Sequence, residues 1–149
     1  MTASTILVAA SAMLSAEMIG KPDSHDEDGI INHSLKVFSI IGSPGYFNQL
    51  EAIQTARRLY QRSYYPAGIL QQFLAILCTG SLLQLDKQIQ KNTLVLHGSC
   101  DRLLPPSHGK AVAKAISGAK FELIDGMGHD IPPHFIPYLS GLFADHFKS

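Results

Sequence analysis

The sequence predicts an α/β fold with about three short parallel strands, and three observations carry that reading. Compact apolar runs near Thr5–Ala10, Thr93–His97 and Phe121–Asp125 have the length of strands, and the first is rich enough in branched side chains to be buried on both faces. The segments that follow the second and third runs repeat their apolar residues at helical spacing. Strand, helix, strand, helix of this length implies a right-handed parallel unit. A longer helical stretch is inserted after the first run.

Composition is compatible with one domain built on a single core. The chain has 149 residues, of which 46% are hydrophobic and 16% charged, a globular rather than a disordered balance. Twelve basic residues offset twelve acidic ones, so no positive footprint for nucleic acid or anionic lipid is expected. No apolar run approaches the ~20 residues that cross a bilayer. Met1–Ala12 resembles a signal peptide only faintly, because no Lys or Arg precedes Lys21, and it reads instead as a buried strand. Cys78 and Cys100 stand far apart without CxxC spacing, which fits a reducing cytosol. A cytoplasmic protein is the expectation.

The elements follow in order. Lys21 to Gly29 is polar and acidic and reads as a solvated loop, and a helical turn or two follows from Leu35 to Ile41. Gly42-Ser-Pro-Gly45 is a turn cluster. Asn48 with Glu51 three residues on is the signature of a capped helix, whose inner face would be Leu50, Ile53, Ala56 and Tyr60. Ser63–Gly68 breaks it. Ile69, Leu70, Phe73, Leu74 and Leu77 form a second stripe ending at Gly80. Pro105-Pro-Ser107 opens a helix on Val112, Ala115 and Ile116, closed by Gly118. The final helix, from about Pro133, would turn Ile136, Leu139, Phe143 and Phe147 inward.

Functional groups of an open parallel sheet gather beyond the carboxyl ends of its strands. Asp101 follows one strand in His97-Gly-Ser-Cys-Asp101, and His129 follows the next in Gly126-Met-Gly-His129. Adjacent parallel strands set these loops side by side, so that a carboxylate can orient an imidazole while the other ring nitrogen takes a proton. Asp23, His25, Asp26, Glu27 and Asp28 are a second polar cluster. Without a ligand-spaced glycine loop they read as a solvated face rather than a cation site, and no metal or cofactor is expected.

The segments HGSCDRLLPP and GMGHDIPP, with 28 residues from Asp101 to His129, resemble the acid and histidine loops of the α/β-hydrolase superfamily. IGSPGYFNQLEAIQTARRLYQRSYYPAG resembles the helical lid of bacterial esterases similar to aclacinomycin methylesterase. The resemblance implies the C-terminal half of that fold in three parts: a core strand over 1–11, a lid and its return over 12–90, and the acid and histidine core over 91–149. It also implies a carboxylic-ester or related hydrolase. His129 would be general base and then acid, Asp101 its orienter, and Tyr64, Tyr65 and Phe73 apolar walls of the substrate pocket.

The family's nucleophile stands in a G-x-S-x-G elbow, and this sequence has none. Ile41-Gly-Ser43-Pro-Gly45 is the nearest substitute, but Ile41 replaces the first glycine. Pro44, the next residue, has no N–H to offer an oxyanion. Ser99 and Cys100 lie inside the acid's own loop and read as loop-filling, and Ser11 lacks both flanking glycines. The expectation is a hydrolase-type chain inactive on its own. The alternative is a non-catalytic remnant, or an assembly module that pairs with a separate N-terminal half, or with itself, through the edge of Thr5–Ala10.

Overall fold

The computed structural model describes residues 20–148, apart from the side chains of Ile69, Phe73 and Leu77. The expected strand at Thr5–Ala10 lies outside the described residues. Among the described residues four helices come first: α1 (Glu27–Ile41), α2 (Gln49–Ser63), α3 (Pro66–Thr79) and the single turn α4 (Leu83–Asp86). Then follow β1 (Leu94–Gly98), α5 (Pro106–Ala115), β2 (Lys120–Ile124), a 3-10 turn at Pro133–Phe135, and α6 (Ile136–Lys148). The chain divides into two units. Residues 20–40 and Asn48–Leu82 form one; Ile41–Phe47 and residues 83–148 form the other.

The first unit is helical. α1 begins earlier than its sequence suggests, so the stretch from Lys21 to Gly29 is only partly a loop. The Asp26 carboxylate accepts the Gly29 N–H at 2.9 Å, which caps the helix, and Glu27 and Asp28 occupy its first turn. The acidic cluster therefore has local work: Asp23 pairs with Lys36 at 3.0 Å and Glu27 with Arg57 at 3.4 Å. Asn48 caps α2 as its position predicts, its Oδ1 accepting from the backbone N–H groups of Leu50 and Glu51. Pro66 starts α3 at a position where its missing N–H costs nothing. Ile31 and Ala56 are buried. Leu50, Leu70 and Leu74, expected on inner stripes, are exposed instead. Helical period alone picks a face without saying what lies against it.

The second unit holds the sheet. β1 and β2 pair in parallel, Leu94 opposite Lys120 through Gly98 opposite Ile124, with α5 as the crossover. Both strands lie within one residue of their sequence-derived positions. Ile124, Met127, Phe135 and Leu139 make the buried core, with Leu96 and Leu142 packed against it. Phe135, Leu139 and Leu142 follow the i, i+4, i+7 spacing of one helical face. The inner face of α6 is thus turned by one residue from the expected stripe: Leu139 is shared, while Ile136, Phe143 and Phe147 are exposed, the last at 84%. Two apolar faces compete on this helix, and the sheet selects one of them. Tyr46 ties Ile41–Phe47 to the same region, stacking on His134 at 4.5 Å and meeting Phe135 edge-on at 5.1 Å.

Candidate active site

β1 and β2 end level with one another, so the loops that leave them start as neighbours. Backbone bonds lace them together: Ser99 N–H to Ile124 O at 2.9 Å, and Cys100 N–H to Met127 O at 2.9 Å. Ser99 Oγ accepts the Gly126 N–H and donates to Asp125, so it fills the loop as its position suggested. Close approach favours glycine at position 98, since a Cβ there would sit 2.2 Å from Met127 O and the backbone would have to shift to admit it.

This lacing delivers Asp101 to His129. Oδ1 of Asp101 accepts the backbone N–H groups of Leu103 and Leu104, at 2.9 and 2.8 Å, which fixes the carboxylate plane. Oδ2 then stands 2.8 Å from Nδ1 of His129. The carboxylate side chain is 6% exposed and the imidazole 38%. An ionised carboxylate only accepts, so Nδ1 carries the proton in the neutral ring and the lone pair sits on Nε2. Among the described residues no hydroxyl hydrogen-bonds Nε2. An imidazole held in this way can accept a proton at one nitrogen while its partner carboxylate stabilises the resulting cation.

His97 is a third member that sequence reasoning passed over. Its Nε2 is 2.8 Å from the Leu104 carbonyl oxygen, which can only accept, so that nitrogen bears a proton. The same nitrogen is 3.5 Å from Asp101 Oδ2. The signal was available: a histidine at the last positions of a strand, four residues before the acid. An open depression of about 270 Å³ lies over the pair, bordered by Leu96, Leu104 and Ile131 as well as by His97, Asp101 and His129.

Ser43 is 1% exposed. Its Oγ donates to Asp130 Oδ1 at 2.5 Å and accepts the Gly128 N–H at 2.8 Å, while its own N–H reaches Asp130 Oδ1 at 2.7 Å. Both hydroxyl functions are used, and neither is directed to His129. The serine tethers the histidine loop.

No family model and no curated protein sequence matches the chain. Solved structures do. A meta-cleavage product hydrolase from Pseudomonas fluorescens IP01, a variant complexed with acetates, superposes with a TM-score of 0.62 at 18% identity, over 89% of this chain and 48% of that one. The fold is that of part of an α/β-hydrolase. A second structure, of another variant of a meta-cleavage product hydrolase, aligns with a TM-score of 0.60 at 16% identity, over 94% of this chain and 61% of that one. The chain thus spans about half to three-fifths of the α/β-hydrolases it matches. Among the described residues no helix is long and apolar enough to cross a membrane.

Proposed function

We infer that the chain is the acid-and-histidine portion of an α/β-hydrolase acting on carboxylic esters or related acyl compounds, and that alone it does not turn them over by a covalent serine route. The observation that carries the reading is the 2.8 Å contact between Asp101 Oδ2 and His129 Nδ1, with the carboxylate held from behind by two backbone N–H groups. His129 would move the proton at Nε2, and Asp101 would orient the ring. Inactivity is supported by Ser43, whose hydroxyl is buried and fully hydrogen-bonded, and by the missing elbow sequence. Losing one oxyanion donor slows such enzymes roughly 10²–10³-fold, and losing the nucleophile slows them further.

A second reading is an assembly module completed by a separate N-terminal half; it is supported by an acid–imidazole pair that is formed while, among the described residues, no hydroxyl hydrogen-bonds Nε2 of His129. One experiment separates the two. Purified chain and its His129→Ala variant are assayed on an activated short-chain ester, with a serine-reactive phosphonate as label. Turnover near that of free imidazole and no labelled serine is the expected result. Fast hydrolysis with one serine labelled stoichiometrically sinks the inference. Activity that appears only when an N-terminal hydrolase half is added, and that His129→Ala abolishes, selects the assembly module.

A further inference from the structure

We propose that Ser43 and Asp130 are positioning residues for His129, forming a tether that sets the direction of the imidazole toward Asp101. The proposal rests on the reading of His129 as the proton-transfer group and adds how that ring is held. Three consecutive residues of the histidine loop are each tied to one short segment about 85 residues earlier. Gly128 N–H is donated to Ser43 Oγ at 2.8 Å, His129 N–H to Ile41 O at 2.8 Å, and Asp130 Oδ1 receives both the N–H and the hydroxyl of Ser43. The segments pass in backbone contact, since a Cβ on Gly128 would lie 2.4 Å from the Gly42 carbonyl carbon.

The geometry does more than join two loops. Ser43 is buried, and its hydroxyl both donates and accepts, so no water is needed to satisfy it. Because bonds fall before, at and after His129, the direction of its Cα–Cβ bond is fixed from both sides. Asp101 is referenced to the same loop through the Cys100 N–H bond to Met127 O. Acid and base therefore share one frame, and a working pair must hold its geometry to within about half an ångström.

The test uses isotope-labelled full chain and two readouts, amide hydrogen exchange at Gly128 and His129 and the tautomer of the His129 ring in long-range proton–nitrogen spectra. Ser43→Ala and Asp130→Ala should speed that exchange about tenfold, the effect of losing one hydrogen bond. Both should also lower the fraction of ring carrying its proton on Nδ1. Asp130→Asn keeps the accepting oxygen and should restore both readouts. Ile31→Ala, a buried change in the other unit, controls for general loss of stability and should leave the ring unmoved. Faster exchange with an unchanged ring means a plain structural tether and overturns the proposal, as does no change in either readout. If Asp101→Asn leaves the wild-type ring unaffected, the acid–base reading itself falls, and the positioning role falls with it.

Discussion

His97 Nε2 lies 3.5 Å from Asp101 Oδ2, the oxygen that also holds His129, and donates its proton to the Leu104 carbonyl at 2.8 Å. The acid loop is thus closed by an imidazole behind it as well as by the Asp101 carboxylate within it. Replacing His97 with Ala removes one hydrogen bond and leaves a void against Gly109, whose added Cβ would lie 2.6 Å from the ring. The expected loss is about 2 kcal/mol of stability. A urea unfolding curve for His97→Ala with an unchanged midpoint would show that the ring does not brace the loop.

Two glycines should respond to alanine with opposite sign. Gly98→Ala drives a methyl group to 2.2 Å from Met127 O, between the acid and histidine loops, and should cost about 1–3 kcal/mol. Gly141 lies in α6 with open space around it, so Gly141→Ala should stabilise by about 0.5–1 kcal/mol through lower unfolded-chain entropy. Thermal melts of the two variants beside wild type test both signs at once.

Asp26 is expected to make α1 sensitive to acid. Hydrogen bonds from the Ser24 hydroxyl and the Gly29 N–H hold its carboxyl below the ordinary value of 3.8. A group depressed on folding contributes stability that is fully present above its unfolded pKa and is lost as pH falls through its lower folded pKa. Asp26→Ala should therefore lower helical content at neutral pH and flatten the acid limb of the circular-dichroism titration. Parallel acid limbs for the two proteins would remove the capping role.

Tyr138 gives the complementary alkaline case. Its hydroxyl donates to Glu122 Oε1 at 2.8 Å, linking α6 to β2, and this bond to a carboxylate pushes the phenol above its ordinary value of 10.0. The contribution is fully present below the unfolded pKa and fades as pH rises through the higher folded one. Ultraviolet titration of tyrosinate should show one late-ionising tyrosine that Tyr138→Phe or Glu122→Gln removes. An unchanged curve in Glu122→Gln would rule out the link.

The sequence by itself determined the parallel pair of strands, the capped helix at Asn48, and the meeting of Asp101 with His129. Each depends on signals a few residues wide: an apolar run, an Asn before Glu, loops leaving adjacent parallel strands. The start of α1 was also written there, in Asp26 followed by two acids, but its polarity resembled that of a loop. Tertiary structure decided the rest. Which face of α6 turns inward was settled by Phe135 and Leu142 packing beside Leu139, because helical period offered two apolar faces and only the sheet chose between them. The role of Ser43 was decided in the same way. Its position in a Gly-Ser-Pro-Gly turn gives no hint of Gly128 and Asp130, which lie 85 and 87 residues away. Their hydrogen bonds exist only once the fold has brought the two segments into backbone contact.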